Sequence, residues 1–161
     1  MKKLKLYLET SVWNFYFAND APEKKEVTLQ FFQKVENDEY DIYISQLVFD
    51  EIERASKEKR TLLIDLIKKF NPEELKITEK VLLLANKYIT EFALPKRAID
   101  DSTHVAVATV NEMDALISWN LNHLANLRRM EKVNEINFKE GYYKHLEMIT
   151  PLEVSNDDEN L

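Results

Sequence analysis

Short apolar runs alternate with longer amphipathic stretches along the chain. Runs rich in β-branched, aromatic or alternating apolar residues are typical of strands. They predict strands over Leu4–Leu8, Asp41–Ser45, Ala115–Ser118 and, at the edge of a sheet, Leu146–Thr150, with a short extended piece over Leu75–Thr78. The chain therefore carries the strands of one small sheet.

The stretches between these runs repeat apolar residues three and four positions apart, which is the helical period. They predict helices over about 22–38, 46–55, 61–70, 79–92, 101–110 and 121–130. Ser45 and Thr78 are the predicted N-caps of the second and fourth helices, and Asp100 or Asp101 is that of the fifth. Strands alternating with helices indicate an α/β fold with a mostly parallel sheet covered on both faces.

The length of 161 residues fits a single domain. The chain turns polar after Pro151, so we expect the domain to span residues 1–154 and an acidic, frayed tail to follow over 155–161. The apolar stretch in MKKLKLYLE is too short for a signal peptide or a membrane anchor. We therefore expect a cytoplasmic protein that does not use a membrane.

Composition narrows the function classes. The sequence contains no cysteine, which excludes disulfides, thiolate chemistry and zinc–thiolate sites. Its only glycine is Gly141, which excludes glycine-rich phosphate loops. The 29 acidic and 22 basic residues give a formal charge of −7, which does not favour loose binding to nucleic acid. A nucleic-acid ligand would need a local basic surface, a metal ion or a partner.

Four polar residues stand where a predicted strand ends or a predicted helix begins: Glu9, Glu51, Asp101 and Asn120. In parallel βα units those positions share one edge of the sheet, where ligands bind. Carboxylates about 5 Å apart repel by roughly 3 kcal/mol at an effective dielectric constant of about 20. Because Mg²⁺ or Mn²⁺ prefers oxygen ligands and reverses that repulsion, we expect a divalent cation at this edge. Such a site suits phosphodiester hydrolysis.

The segments around these residues carry a family resemblance. They read YLETSVWNFYF, ISQLVFDEIERA, DDSTHVAVAT and LISWNLNHL, followed by GYYKHLEMITPLEV. In this order they resemble the PIN-domain ribonucleases, including the VapC toxins of toxin–antitoxin pairs. The resemblance places the family's acids at Glu9, Glu51 and Asp101, with Asp100 as the alternative to Asp101, and its fourth position at Asn120.

The resemblance implies a three-layer α/β/α domain with a sheet of about five strands. It also implies a Mg²⁺- or Mn²⁺-dependent endoribonuclease, a homodimer and a small antitoxin partner. Two positions depart from the family, whose first and fourth acids are usually Asp. Glu9 moves the first carboxylate by about 1.5 Å, and Asn120 brings an oxygen without a formal charge, so metal affinity should be weaker.

Structural roles remain open beside these functional ones. Thr10 and Ser11 cap the following helix, or bind a water or a phosphate. His104 packs in the core or bonds a carboxylate. Trp13 and Trp119 pack internally, or stack on bases. Basic residues, including the group Arg128, Arg129 and Lys132, form solvated helix faces, or one such group contacts the RNA backbone.

Two further functions remain open on the same frame. One is a domain with weakened catalysis that binds RNA or protein. The other is a metal phosphoesterase that acts on small phosphates.

Overall fold

The computed structural model of the protein describes residues 2–121 and 123–154, with side chains from residue 127 onward in the second range. The predicted tail over 155–161 lies outside these residues. The elements are β1 (Leu4–Leu8), α1 (Thr10–Phe15), α2 (Pro22–Glu36), β2 (Tyr40–Ser45), α3 (Gln46–Ile52), α4 (Lys57–Phe70), β3 (Glu73–Leu75), α5 (Glu79–Thr90), α6 (Ile99–Val110), β4 (Ala115–Ile117), α7 (His123–Lys139) and β5 (Glu147–Ile149). None of the described helices has the length and apolar character needed to cross a membrane.

The five strands form one sheet in the order β3-β2-β1-β4-β5, and every pair is parallel. The predicted parallel α/β sheet is confirmed, with β5 at an edge as expected. The chain builds outward from β1 to β3 and then crosses back to place β4 on the other side of β1. In open α/β sheets the crevice beside such a reversal, outside the carboxyl ends of the strands, is where ligands bind.

The alternation of side chains along the strands separates two apolar cores. Leu6 and Leu8 of β1 pack with residues of α1, α2, α3 and α4 on one face of the sheet. Tyr7, which lies between them, packs on the other face with residues of α5, α6 and α7. Successive strand residues point to opposite faces, so one strand contributes to both layers. The domain is therefore a three-layer α/β/α structure.

Several predicted helix bounds are corrected by the structure. The last helix continues from Met130 to Lys139, because Val133 and Ile136 keep the apolar period and are fully buried. It ends close to Gly141, whose φ of 91° is a left-handed conformation that favours glycine after a helix. Helix α4 begins earlier than Thr61, because the Ser56 side chain caps it by accepting the Lys59 N–H.

Two of the three predicted N-cap positions are confirmed. Thr78 caps α5 through its side chain, as expected. Ser45 occupies the N-cap position of α3, but its hydroxyl bonds Tyr7 and not the helix. The prediction that Asp100 or Asp101 caps α6 is wrong: Ala98 is at the N-cap, and both acids lie in the first turn. Carboxylates in a first turn are still favoured by the helix dipole.

Candidate functional site

The four predicted site residues are placed by different elements around the crevice beside β1 and β4. Glu9 follows β1 directly, and its backbone N–H donates to the Ile117 carbonyl of β4. Glu51 lies in α3, Asp101 in the first turn of α6, and Asn120 just after β4. Because all the strands run in the same direction, their carboxyl ends and the following helices share this edge.

The Glu9 carboxylate is fixed at the junction of β1 and β4. Its Oε1 accepts hydrogen bonds from the Ser11 backbone N–H at 3.0 Å and from the Ser118 hydroxyl at 2.9 Å. The Asn120 amide nitrogen lies 3.5 Å from its Oε2. The bond from Ser11 also makes Glu9 the N-cap of α1, so the predicted capping by Thr10 or Ser11 is wrong. One oxygen of Glu9 is thus bonded twice, and the other faces Asn120.

The Glu51 carboxylate is held in the same way from the other side of the crevice. Its Oε1 accepts a hydrogen bond from the Thr10 hydroxyl at 2.8 Å and contacts His104 Nε2 at hydrogen-bond range. Burial works to raise the pKa of Glu51, but the bonds from His104 and Thr10 and the charge of Arg54 outweigh it and lower the pKa. Glu51 is therefore ionised at neutral pH. Within residues 2–121 and 127–154, no group donates to its Oε2.

These carboxylates form a compact cluster with His104. Glu9, Glu51 and His104 each offer one atom of a kind that binds metals, and these atoms lie within 4.8 Å of one another. Two carboxylate charges at that separation repel by about 3 kcal/mol at an effective dielectric constant of about 20. The oxygens suit Mg²⁺ or Mn²⁺, and the repulsion is what a cation would relieve. The donor set therefore fits the predicted divalent ion.

Both ring nitrogens of His104 are already bonded within the protein. Nε2 contacts Glu51, and Nδ1 lies 2.6 Å from the Tyr7 hydroxyl. The expected hydrogen bond between His104 and a carboxylate is confirmed, and its partner is Glu51, which is 53 residues away. Direct binding of a metal ion by the ring would break one of these two bonds. His104 is therefore a partner of a ligand rather than the third ligand itself.

Asp101 and Asn120 complete the mouth of the crevice. Together with Glu9 and His104 they line a cavity of about 90 Å³. Glu51 lines a neighbouring cavity of about 280 Å³, which Glu9 and Asn120 also line. Burial of the carboxyl raises the pKa of Asp101, the charges of Glu9 and Glu51 raise it further, and His104 opposes them. Asp101 keeps contact with solvent and does not join the 4.8 Å cluster. The structure thus brings Asp101 into the electrostatic field of the two glutamates without direct contact.

The remaining predicted residues have partners of their own. Asp100 accepts a hydrogen bond from the Arg54 guanidinium at 2.9 Å, and it is absent from the residues lining the crevice cavity. Thr10 donates to Glu51, and the Ser11 hydroxyl accepts the Trp119 backbone N–H at 2.8 Å. Both hydroxyls are buried, so they support the carboxylates and the loop after β4.

The two tryptophans beside the site differ in accessibility. Trp13 is fully buried and packs on Phe32, so its predicted role in the core is confirmed. Trp119 is half-buried, and its indole N–H donates to the Thr28 hydroxyl. The Trp119 ring lies 5.9 Å from that of Phe15, and Lys24 Nζ lies within 5.6 Å of both ring centres. An aromatic pair with a cation therefore borders the acidic crevice.

Two contributors to the site were not predicted from sequence: Ser118 bonds Glu9, and Tyr7 bonds His104. Arg129 of α7, which belongs to a basic group named from the sequence, lines the crevice cavity. The position of Ser118 directly after an apolar strand, at the same edge as Glu9, was a usable signal. Tyr7 looks like an ordinary strand residue, so the pattern could not distinguish it.

A five-stranded parallel sheet between two helical layers, with acids at its reversal point, is a PIN-like α/β fold. A solved chain of VapBC2 from Rickettsia felis, bound to a DNA fragment from their promoter, is similar to this protein with a TM-score of 0.52. The identity is 18%, over 90% of this chain and 98% of that chain. No family model matches the sequence, and no curated protein matches it either. The similarity is therefore one of fold, and it confirms the architecture expected from the motifs.

Proposed function

We propose that this protein is a metal-dependent endoribonuclease of the PIN type, with Mg²⁺ or Mn²⁺ held by Glu9, Glu51 and Asp101. The observation that supports it most is the pairing of Glu9 and Glu51. Each carboxylate has Oε1 fixed by two donors, and the two side chains meet within 4.8 Å at the carboxyl edge of the sheet. Two carboxylates held close together at a ligand-binding edge repel each other, and a bound cation would relieve that repulsion.

The residues of the crevice have distinct roles in this proposal. Glu9 and Glu51 would hold the ion, each with one oxygen already fixed by two hydrogen bonds. Asp101 adds a third carboxylate from α6, and Asn120 binds weakly or orients a water. Arg129 lies where its charge can meet a substrate phosphate. The bound ion supplies a more acidic water and offsets the charge that grows on the phosphoryl oxygens.

RNA is the proposed substrate, although the chain carries a net charge of −7. The pair formed by Phe15 and Trp119 offers half-buried aromatic faces beside the crevice, with Lys24 close to both rings. Aromatic rings with a nearby cation suit unpaired bases and their phosphates. This local surface and the proposed metal ion are what could offset the unfavourable overall charge.

The fold similarity to VapBC2 extends the proposal to biological context. We propose a toxin-type nuclease that acts in the cytoplasm as a homodimer and is neutralised by a small antitoxin protein. Co-expression with the product of an adjacent reading frame would test the partner. Recovery of a stable complex that no longer cleaves RNA is the expected result.

Cleavage of RNA by the purified protein tests the central proposal. We expect cleavage with Mg²⁺ or Mn²⁺ that EDTA abolishes. Glu51→Gln and Asp101→Asn should each lower the rate by at least about a hundredfold while leaving the circular dichroism spectrum unchanged. Glu53→Gln is the matched control, because Glu53 is exposed and pairs with Arg60 outside the crevice. Equal rates for wild type and Glu51→Gln would show that the proposed site is wrong.

One observation favours a second candidate, a domain with weakened catalysis that binds RNA or protein. The amide nitrogen of Asn120, and not its oxygen, is directed at Glu9 Oε2. An amide donor in that place satisfies the carboxylate without a cation. Calorimetric titration with Mn²⁺ separates the two candidates, since only the nuclease requires saturable metal binding that Glu51→Gln removes.

A further inference from the structure

We propose that His104 is a positioning residue, which fixes the Glu51 carboxylate for the crevice through a buried chain of hydrogen bonds that begins at Ser45 and Tyr7. The effect on metal binding rests on the proposed function, but the chain of bonds can be tested without measuring any activity. It gives a role to His104, which is buried and which the proposed function does not assign to metal or substrate binding.

The chain of bonds links four elements: β2, β1, α6 and, through Glu51, α3. Ser45 ends β2, and its hydroxyl lies 2.7 Å from that of Tyr7 on β1. The Tyr7 hydroxyl lies 2.6 Å from His104 Nδ1 on α6, and the opposite ring nitrogen contacts Glu51. Tyr7 and Ser45 are fully buried, and His104 is 1% exposed. Solvent therefore does not compete for these bonds.

The donors and acceptors along this chain have a fixed direction. An ionised carboxylate only accepts, so His104 Nε2 must carry the proton that is donated to Glu51. In the neutral ring Nδ1 then accepts, and the Tyr7 hydroxyl donates to it. The Ser45 hydroxyl is left to donate to the Tyr7 oxygen, which explains why that hydroxyl makes no capping bond to α3. Tyr7 thereby selects the tautomer of His104 that holds Glu51.

The consequence for Glu51 is a fixed orientation. Its Oε1 is shared by His104 and Thr10, which approach from α6 and α1, so rotation of the carboxylate is blocked from two sides. No described group donates to its Oε2, and Glu51 lines a cavity together with Glu9 and Asn120. A ligand that is held in its binding orientation loses less freedom when it binds, so affinity improves without any new contact to the ion.

The experiment compares two tyrosines that are equally buried. Tyr7→Phe removes the hydroxyl that fixes the His104 tautomer, whereas Tyr88→Phe removes a hydroxyl bonded to Thr109 and Asn137, away from the acids. We expect Tyr7→Phe to weaken Mn²⁺ binding by about three- to tenfold in calorimetry and to lower RNA cleavage similarly. Tyr88→Phe should stay within about twofold of wild type in both measurements.

Two histidine variants separate positioning from packing. His104→Ala should weaken Mn²⁺ binding by at least about tenfold. His104→Gln keeps a side-chain N–H at a similar reach and should restore most of that loss. If Tyr7→Phe and Tyr88→Phe bind Mn²⁺ equally, or if His104→Gln is as impaired as His104→Ala, the proposal is overturned.

Nitrogen NMR of the metal-free protein gives a readout that does not depend on nuclease activity. We expect the wild-type ring to be protonated on Nε2, and the signal of Nδ1 to move when Tyr7→Phe removes its donor. A ring protonated only on Nδ1 would overturn the chain of bonds. If wild type neither binds Mn²⁺ nor cleaves RNA while the Nε2 proton is present, then the proposed function fails and the positioning of Glu51 by His104 stands.

Discussion

Two buried tyrosines on the same side of the sheet show how similar networks serve different ends. Tyr88 of α5 bonds Asn137 of α7 and Thr109 of α6, and Asn137 also donates to Thr109. All three side chains are buried, and the three bonds close on themselves. Tyr7 begins a network that runs through His104 and ends on Glu51, which lines a cavity with Glu9 and Asn120. Burial raises the pKa of both phenols, so both keep their protons.

The difference lies in where each network ends. A closed set of bonds between three helices can only add stability and specify how those helices pack. A network that ends on a partly exposed carboxylate uses rigid core residues to fix the orientation of that carboxylate. Removing a hydrogen bond from the closed network is therefore expected to lower stability. Removing one from the network that ends on Glu51 is expected to weaken binding.

The largest expected effect is on stability and comes from the closed network. Asn137→Ala removes a buried amide and leaves the Tyr88 hydroxyl with Thr109 alone, at 3.3 Å. The free energy of unfolding should fall by about 2–3 kcal/mol in urea denaturation. RNA cleavage per folded molecule should be unchanged at a temperature where the variant is folded. A loss of cleavage without a loss of stability would contradict the contrast between the two networks.

A smaller effect on activity is expected from the open network. Thr10→Val keeps the shape of the side chain but removes the hydroxyl that donates to Glu51 Oε1. We expect cleavage to fall by about fivefold, equivalent to about 1 kcal/mol, because His104 still holds the same oxygen. Thr10→Ser is the control and should retain nearly full activity. Similar losses in both variants would mean that the hydroxyl does not act through Glu51.

The smallest effect concerns a carboxylate remote from both networks. Asp114 precedes β4 and accepts the Lys5 backbone N–H at 2.8 Å and the Lys144 ammonium at 2.9 Å. Partial burial works to raise the pKa of Asp114, but the bonds from Lys5 and Lys144 outweigh it and lower the pKa. A carboxyl group with a pKa below its unfolded value of about 3.9 stabilises the fold above that pH.

Asp114→Asn tests the sign of that pH dependence. Near pH 6 the wild-type protein should be more stable than the variant, with a free energy of unfolding higher by less than about 1 kcal/mol. The difference should shrink as the pH falls from about 4 through the folded-state pKa, because the wild-type carboxylate then becomes protonated. Asp65→Asn, on the exposed face of α4, is the matched control and is measured at the same pH values. A difference that grows in acid would refute the assignment.

Four of the five strands could be predicted from sequence because local pattern determines them. The extended piece predicted over Leu75–Thr78 overlaps β3 only at Leu75, because β3 spans Glu73–Leu75. Leu4–Leu8 is observed as predicted, and Ala115–Ile117 is one residue shorter. The start of α6 could not be predicted in the same way, because two adjacent acids suggested a cap where the structure uses Ala98. The first and last turns of a helix depend on contacts with distant residues. The ends of a helix are therefore harder to predict from sequence than its presence.

The topology predicted that the site residues lie at one edge of the sheet, but it did not predict the residues that hydrogen-bond their carboxylates. Parallel βα units bring Glu9, Glu51 and Asn120 to one edge whatever their neighbours are. The contact between His104 and Glu51 joins two helices that are 53 residues apart in sequence. No local period encodes that pairing, so only the folded coordinates reveal it.

The outer strands of the sheet have a consequence for how copies of the protein can meet. Both β3 and β5 are three residues long, and they carry Glu73, Glu74 and Glu147. An outer strand this short offers very little unsatisfied backbone to a neighbouring polypeptide, and acidic side chains discourage the approach of a second acidic rim. The molecule is thereby protected against stacking into extended fibrils at high concentration.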